Sequence, residues 1–150
     1  MKQKIIGIGN DFRSDDAAGL LVARKLKELY PDFDIIESDG NGVDLLSIFQ
    51  EYDKVIIIDA AIANNPEDVG QIKEIKVTPD FNFSDLKIYS SHSFSLLEAL
   101  KMGKQLSILP EELYLYLILS KNFSFGQEIS EAVKKASEKI LDIIIKNHFY

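Results

Sequence analysis

Between Lys54 and Ala60 the chain reads Val55-Ile56-Ile57-Ile58, a branched aliphatic run with no polar residue inside it. Successive side chains of a strand point to opposite faces, so an unbroken run is apolar on both. Such a strand needs cover above and below. In a small chain that means a largely parallel sheet with helices packed on each side. The run ends in Asp59, and a carboxylate there is costly to bury unless it is paired or hydrogen-bonded.

The remaining segments supply the rest of such a sheet. Lys4–Gly9 reads as a first buried strand. From Ala17 to Tyr30 the apolar positions Ala18, Leu21, Val22, Leu26 and Leu29 recur at helical spacing, and Pro31 stops the helix. Asp34–Ser38 is a short strand, and Asp39-Gly40-Asn41-Gly42 a turn. Val43–Phe49 is a short helix with Val43, Leu46 and Phe49 on one side. Gln71–Val77 alternates imperfectly, as an edge strand with one wet face does. Thr78–Ser91 is irregular and rich in aromatics. Phe94, Leu97 and Leu100 mark a further helix ending near Gly103, with Ser95 and Glu98 at capping-box spacing. Glu111–Ser120 is a strand, Ser124–Gln127 a turn, and Glu128–Asn147 a last helix with Ile129, Val133, Ala136, Ile140 and Ile143 as its stripe. Strands alternating with helices predict an α/β three-layer sandwich, a twisted, largely parallel five-stranded sheet between helices. With 150 residues, the expectation is one domain over residues 1–150.

The net charge of −7 argues against non-specific nucleic-acid binding and against an anionic membrane surface. The most apolar segments fall far short of a membrane span, so no membrane insertion is expected. The chain has no cysteine, which removes disulfides, thiolate ligands and thiol nucleophiles together and fits a reducing, cytoplasmic location.

Chemistry-bearing residues gather at strand ends. The stretch Gly7-Ile8-Gly9-Asn10 leads through a small-residue loop to Asp15-Asp16 at the entrance of a helix. In open α/β sheets that crevice is where ligands bind. If the first and third strands are neighbours, Asp16 and Asp59 point into one crevice, and His92 comes from a loop that can return there. Two carboxylates and an imidazole suit a borderline divalent cation, with coordination positions left open. Plainer roles stand beside this. An Asp at a helix start is commonly an N-cap, as Asp15 is read here. His92 caps a helix or sits satisfied in the core as readily as it binds metal, Asn10 is a turn residue or a contact for bound peptide, and His148 suits the dipole at the end of the last helix. A second functional reading starts from Gly7-Ile8-Gly9, a strand-to-helix Gly-x-Gly with Glu37 placed to hold a ribose. It predicts a small Rossmann-like nucleotide-binding oxidoreductase. Phe12 occupies the place of the third glycine, and two carboxylates at the helix entrance repel a pyrophosphate.

Taken together, Gly7-Ile8-Gly9-Asn10 with Asp15-Asp16 and Gly19, then Ile57-Ile58-Asp59-Ala60, then Ser91-His92 leading into Leu96-Leu97-Glu98-Ala99-Leu100, resemble the hydrogenase maturation endopeptidases. The resemblance covers nearly the whole chain. It implies that Asp16, Asp59 and His92 contact nickel, Asp16 standing where the family often has glutamate; Ala17-Ala18 departs from its more usual residues. It implies a substrate, the large-subunit precursor of a nickel–iron hydrogenase, which brings its own nickel and loses a C-terminal extension by one peptide-bond cleavage. For the cut itself, either the metal acts as Lewis acid or activates the attacking water, or it serves recognition alone and Asp16 or Asp39 assists the water as base; Asn10 is a candidate substrate contact, and the free chain is expected to be a monomer. A non-catalytic chaperone that only binds the precursor is the third reading.

Overall fold

The computed structural model describes residues 1–88, 94–126 and 128–149. Five strands form one sheet: β1 (Gln3–Ile8), β2 (Ile35–Ser38), β3 (Lys54–Ile62), β4 (Ile72–Lys76) and β5 (Glu112–Ser120), in the order β2-β1-β3-β5-β4. All neighbours are parallel except β4, which pairs antiparallel to β5 at the edge. Four α-helices cover the sheet: α1 (Ala18–Leu29), α2 (Gly42–Glu51), α3 (Leu96–Gln105) and α4 (Glu131–His148). The three-layer α/β sandwich expected from the sequence is the fold observed.

The aliphatic run of β3 splits between two cores as its period requires. Ile56 and Ile58 join Ile5, Val22, Leu26 and Ile140 under α1 and α4, while Val55 and Ile57 join Ile6, Leu45, Phe49 and Leu100 under α2 and α3. All four residues of the run are fully buried. The edge strand β4 keeps Lys73, Glu74 and Lys76 exposed. The capping box at the start of α3 is present, with the Ser95 side chain bonded to the helix and Glu98 reaching back to the Ser95 N–H.

Some helix faces differ from the periodicity reading. In α2 Leu45 and Phe49 are buried and Val43 is 67% exposed, because the inward position of the first turn is taken by Gly42, which is buried against Phe94. In α1 Leu20 and Ala23 are buried, and Leu21 and Leu29 are exposed. Helix α4 begins at Glu131, three residues later than expected, and its fully buried residue near the end is Ile144 rather than Ile143. His148 is not a charged helix terminus. Its Nε2 lies 2.7 Å from the Tyr116 hydroxyl, and burial foremost, with Lys54 adding, pushes the imidazole down to about 4, so it is neutral at pH 7.

Candidate functional site

β1 lies between β2 and β3, with Gly7 opposite Ile58. β1 stops at Ile8 while β3 runs on to Ile62, so the loop after β1 emerges beside the middle of β3, and Asp59 lies inside that strand rather than at its end as the sequence suggests. Asp59 follows Ile58 and shares the strand parity of Val55 and Ile57, the face covered by α2 and α3. It is 1% exposed, and its Oδ1 accepts a hydrogen bond from the Ala60 N–H at 2.8 Å.

The loop after β1 is folded tightly onto that position. Residues Ser14–Ala17 form a single 3₁₀ turn, and Asp16 within it is 7% exposed. The Asn10 N–H donates to the Asp16 carbonyl at 3.2 Å. A Cβ at Gly9 would lie 1.9 Å from that carbonyl oxygen, so only glycine permits the approach. Gly19, the second residue of α1, sits against both strands; a Cβ there would come within 2.5 Å of the Ile8 and Ile58 carbonyl oxygens. The two glycines therefore seat the Asp15-Asp16 turn over the end of β1 and against β3 beside Asp59. Ser14 enters the turn at φ +49°, a left-handed conformation, and its hydroxyl donates to the Ser124 carbonyl at 2.6 Å.

Asp16 and Asp59 are close enough for their charges to interact. Burial pushes the Asp59 carboxyl well above the usual carboxylate range, and the Asp16 charge raises it further; the Ala60 N–H opposes this. Burial pushes Asp16 up to about 7, with Arg13 lowering it. Two buried carboxyls with raised affinity for protons form a site that holds either protons or a cation. Among the described residues no group of three or more His, Cys, Asp or Glu side chains is arranged to hold a metal ion, so the described part of the site is this pair.

His92 lies outside the described residues. The residues that flank its segment both reach the same sheet edge. Ile88 bridges to Ala61 and the Lys87 carbonyl accepts from the Ile62 N–H, while the Phe94 carbonyl accepts from the Gly42 N–H at 3.0 Å. Asp39 is exposed beyond β2, where its Oδ1 accepts the Asn41 N–H. Asn10 is half-buried, and its Oδ1 accepts the Phe12 N–H at 2.9 Å.

Asp15 caps a helix, but not its own. Its carboxylate accepts from the Ser130 N–H at 2.8 Å and from the Ser130 hydroxyl at 3.1 Å, tying the turn to the start of α4 across 115 residues of sequence. The only local hint was a serine ahead of an acidic first turn. Arg24 on α1 makes a bidentate pair with Asp11 and a second pair with Glu37 on β2. Glu37, the ribose-binding candidate of the nucleotide reading, is thus engaged by an arginine of the same chain.

Residues 20–147 match the model of the hydrogenase maturation protease family. A Methanocaldococcus jannaschii protein assigned as a hydrogenase maturation protease is 30% identical over an alignment of 156 positions, spanning 97% of this chain and 87% of that one. The NiFe hydrogenase maturation protease HybD from Thermococcus kodakarensis superposes with a TM-score of 0.75 at 26% identity, covering 97% of this chain and 98% of that chain. The hydrogenase maturating endopeptidase HybD from E. coli shares the fold, with a TM-score of 0.74 at 20% identity over 99% of this chain and 94% of that one. The buried carboxylate pair beside the end of β1 thus lies in a chain that belongs to the hydrogenase maturation protease family.

Proposed function

We propose that this chain is an endopeptidase that removes the C-terminal extension of a nickel-loaded hydrogenase large-subunit precursor, with Asp16, Asp59 and His92 contacting the nickel. The observation that carries the reading is the burial of Asp16 and Asp59 together. A carboxylate pair of this kind lowers the stability of a free protein at neutral pH, and it makes chemical sense when a dication replaces its protons. The donor set fits: two carboxylates, the imidazole of His92 from the segment ahead of α3, and positions left for ligands that the precursor supplies.

The nickel belongs to the precursor and arrives with it. A loaded precursor replaces the protons on Asp16 and Asp59 with a cation; an empty precursor leaves two carboxyls that gain nothing. Discrimination for metallation is that difference in affinity. Asp16, raised to about 7, is the better placed of the two candidate bases at neutral pH. Asp39 is exposed and engaged with the Asn41 N–H, and takes the outer place. Asn10 stands at the lip of the same loop as a contact for bound peptide. A cysteine-free chain working as a monomer in a reducing cytoplasm completes the reading.

The test is intact-mass spectrometry of the large-subunit precursor after incubation with this protein, with and without nickel loading. Loss of the C-terminal extension from the loaded precursor alone is expected. An unchanged mass for the loaded precursor overturns the reading.

A further inference from the structure

Each of the four parallel strands is followed, at its C-terminal end, by an exposed large apolar side chain. Phe12 follows β1, Val43 follows β2, Ile62 closes β3 and Phe125 follows β5. Phe12 and Phe125, 74% and 65% exposed, are the largest of the four. Their loops are tied to each other. The Gly126 N–H donates to the Phe12 carbonyl at 3.1 Å, the Asp15 N–H to the Asn122 carbonyl at 3.1 Å and the Ser14 hydroxyl to the Ser124 carbonyl. The Arg13 guanidinium lies 3.8 Å from the Phe125 ring centroid. These loops also carry Asp16. The two rings are therefore exposed but held by a fixed backbone, as a preorganised binding anchor is.

We propose that Phe12 and Phe125 form a docking shelf for an apolar segment of the polypeptide substrate, beside the carboxylate pair. The proposal rests on the peptidase reading and names the part of the substrate that the site grips. Continuity with the site argues for it, since the turn that presents Asp16 starts two residues after Phe12. Charge argues for an apolar occupant. Asp11 and Glu37 share Arg24, and the Asp15 carboxylate accepts from Ser130, so these acidic groups are engaged within the chain. Two exposed rings on adjoining loops offer apolar area to an apolar side chain. Val43 and Ile62 extend it along the same edge. Neither ring belongs to a buried core, although Phe125 carries the Arg13 guanidinium on one face.

The experiment compares the wild type with Phe12→Ala, Phe125→Ala and the double variant, each shown by its thermal melt to retain the fold. Binding of the nickel-loaded large-subunit precursor is measured by calorimetry and cleavage by intact mass. The double variant is expected to bind at least about tenfold more weakly and to raise KM by a similar factor, with kcat changed less than about twofold. A Phe12→Leu, Phe125→Leu pair is expected to recover most of the affinity. Unchanged binding in the double variant overturns the shelf. Failure of the wild type to cleave a precursor that it binds overturns the peptidase reading instead, and the binding arm still decides the shelf. Self-association of the free chain in sedimentation, lost in the double variant, assigns the rings to a second copy and overturns the proposal.

Discussion

Asp16→Asn is expected to stabilise the free protein at neutral and alkaline pH while abolishing metal-dependent recognition. The folded-state pKa of Asp16 is raised from 3.8 to about 7, with burial as the first cause. A raised carboxyl binds its proton more tightly in the native state, so its contribution to stability declines as pH rises from about 4 to about 7 and stays low above that. The full shift is roughly 3 pH units, or about 4 kcal/mol at about 1.4 kcal/mol per unit. The turn lies at the rim of the sheet, and solvent screening there reduces the figure to about 2 kcal/mol. Asparagine has nearly the same shape and no charge, and its presence also relieves the repulsion that raises Asp59. The assay is urea denaturation of both proteins at about pH 4.5 and about pH 8, using the linear extrapolation. Near the lower pH the two should be nearly equal; near the upper one the variant should be more stable by about 2 kcal/mol. The comparison must be between the two proteins, because His148 shifts stability in the opposite direction over the same window. An offset that does not change with pH, or a variant less stable near pH 8, refutes the reasoning.

Gly19→Ala gains helix propensity of about 1 kcal/mol but forces a methyl to within 2.5 Å of two strand carbonyls. A net loss of about 2 kcal/mol or more is expected, read as a lower Tm; a Tm equal to or above wild type contradicts the close packing. Asp15→Ala leaves the Ser130 N–H without its carboxylate partner and should lose about 1–3 kcal/mol. Hydrogen exchange at Ser130 should accelerate, and an unchanged rate removes Asp15 as the tie between the turn and α4. The imidazole of His148 is held at about 4, below its ordinary 6.5, so the fold prefers its neutral form. That contribution is present above about pH 6.5 and is lost as pH falls from there toward about 4. His148→Gln keeps a partner for Tyr116 but does not titrate, and its stability should rise relative to wild type as the buffer is taken from neutral to acid. Parallel curves would show that His148 is not the titrating group.

The layer architecture was legible because its signal is local. An unbroken Val55–Ile58 run has only one economical environment, and the observed burial on both faces follows. The pairing of Asp16 with Asp59 was legible one step further on, since parallel neighbours bring the loop after one strand against the next; that β3 carries on past Asp59 to Ile62 was not legible. What was not legible depends on distance in sequence. Nothing near Asp15 indicates Ser130, and nothing in a helical Gly19 indicates two carbonyls from different strands. The late start of α4 has the same origin: Ser130 is held by Asp15, and the residues ahead of it belong to the loop after β5. The inner face of α2 was misread at Val43 because the inward position of its first turn is taken by Gly42, which apolar periodicity does not mark.

The most direct test of the buried carboxylate pair is a cadmium soak of crystals of the wild-type protein, read by anomalous diffraction. A peak bridging the carboxylates of Asp16 and Asp59, absent from Asp16→Asn crystals treated in the same way, is the result expected. A peak elsewhere on the molecule, or none at the pair, contradicts the claim that these residues meet the metal.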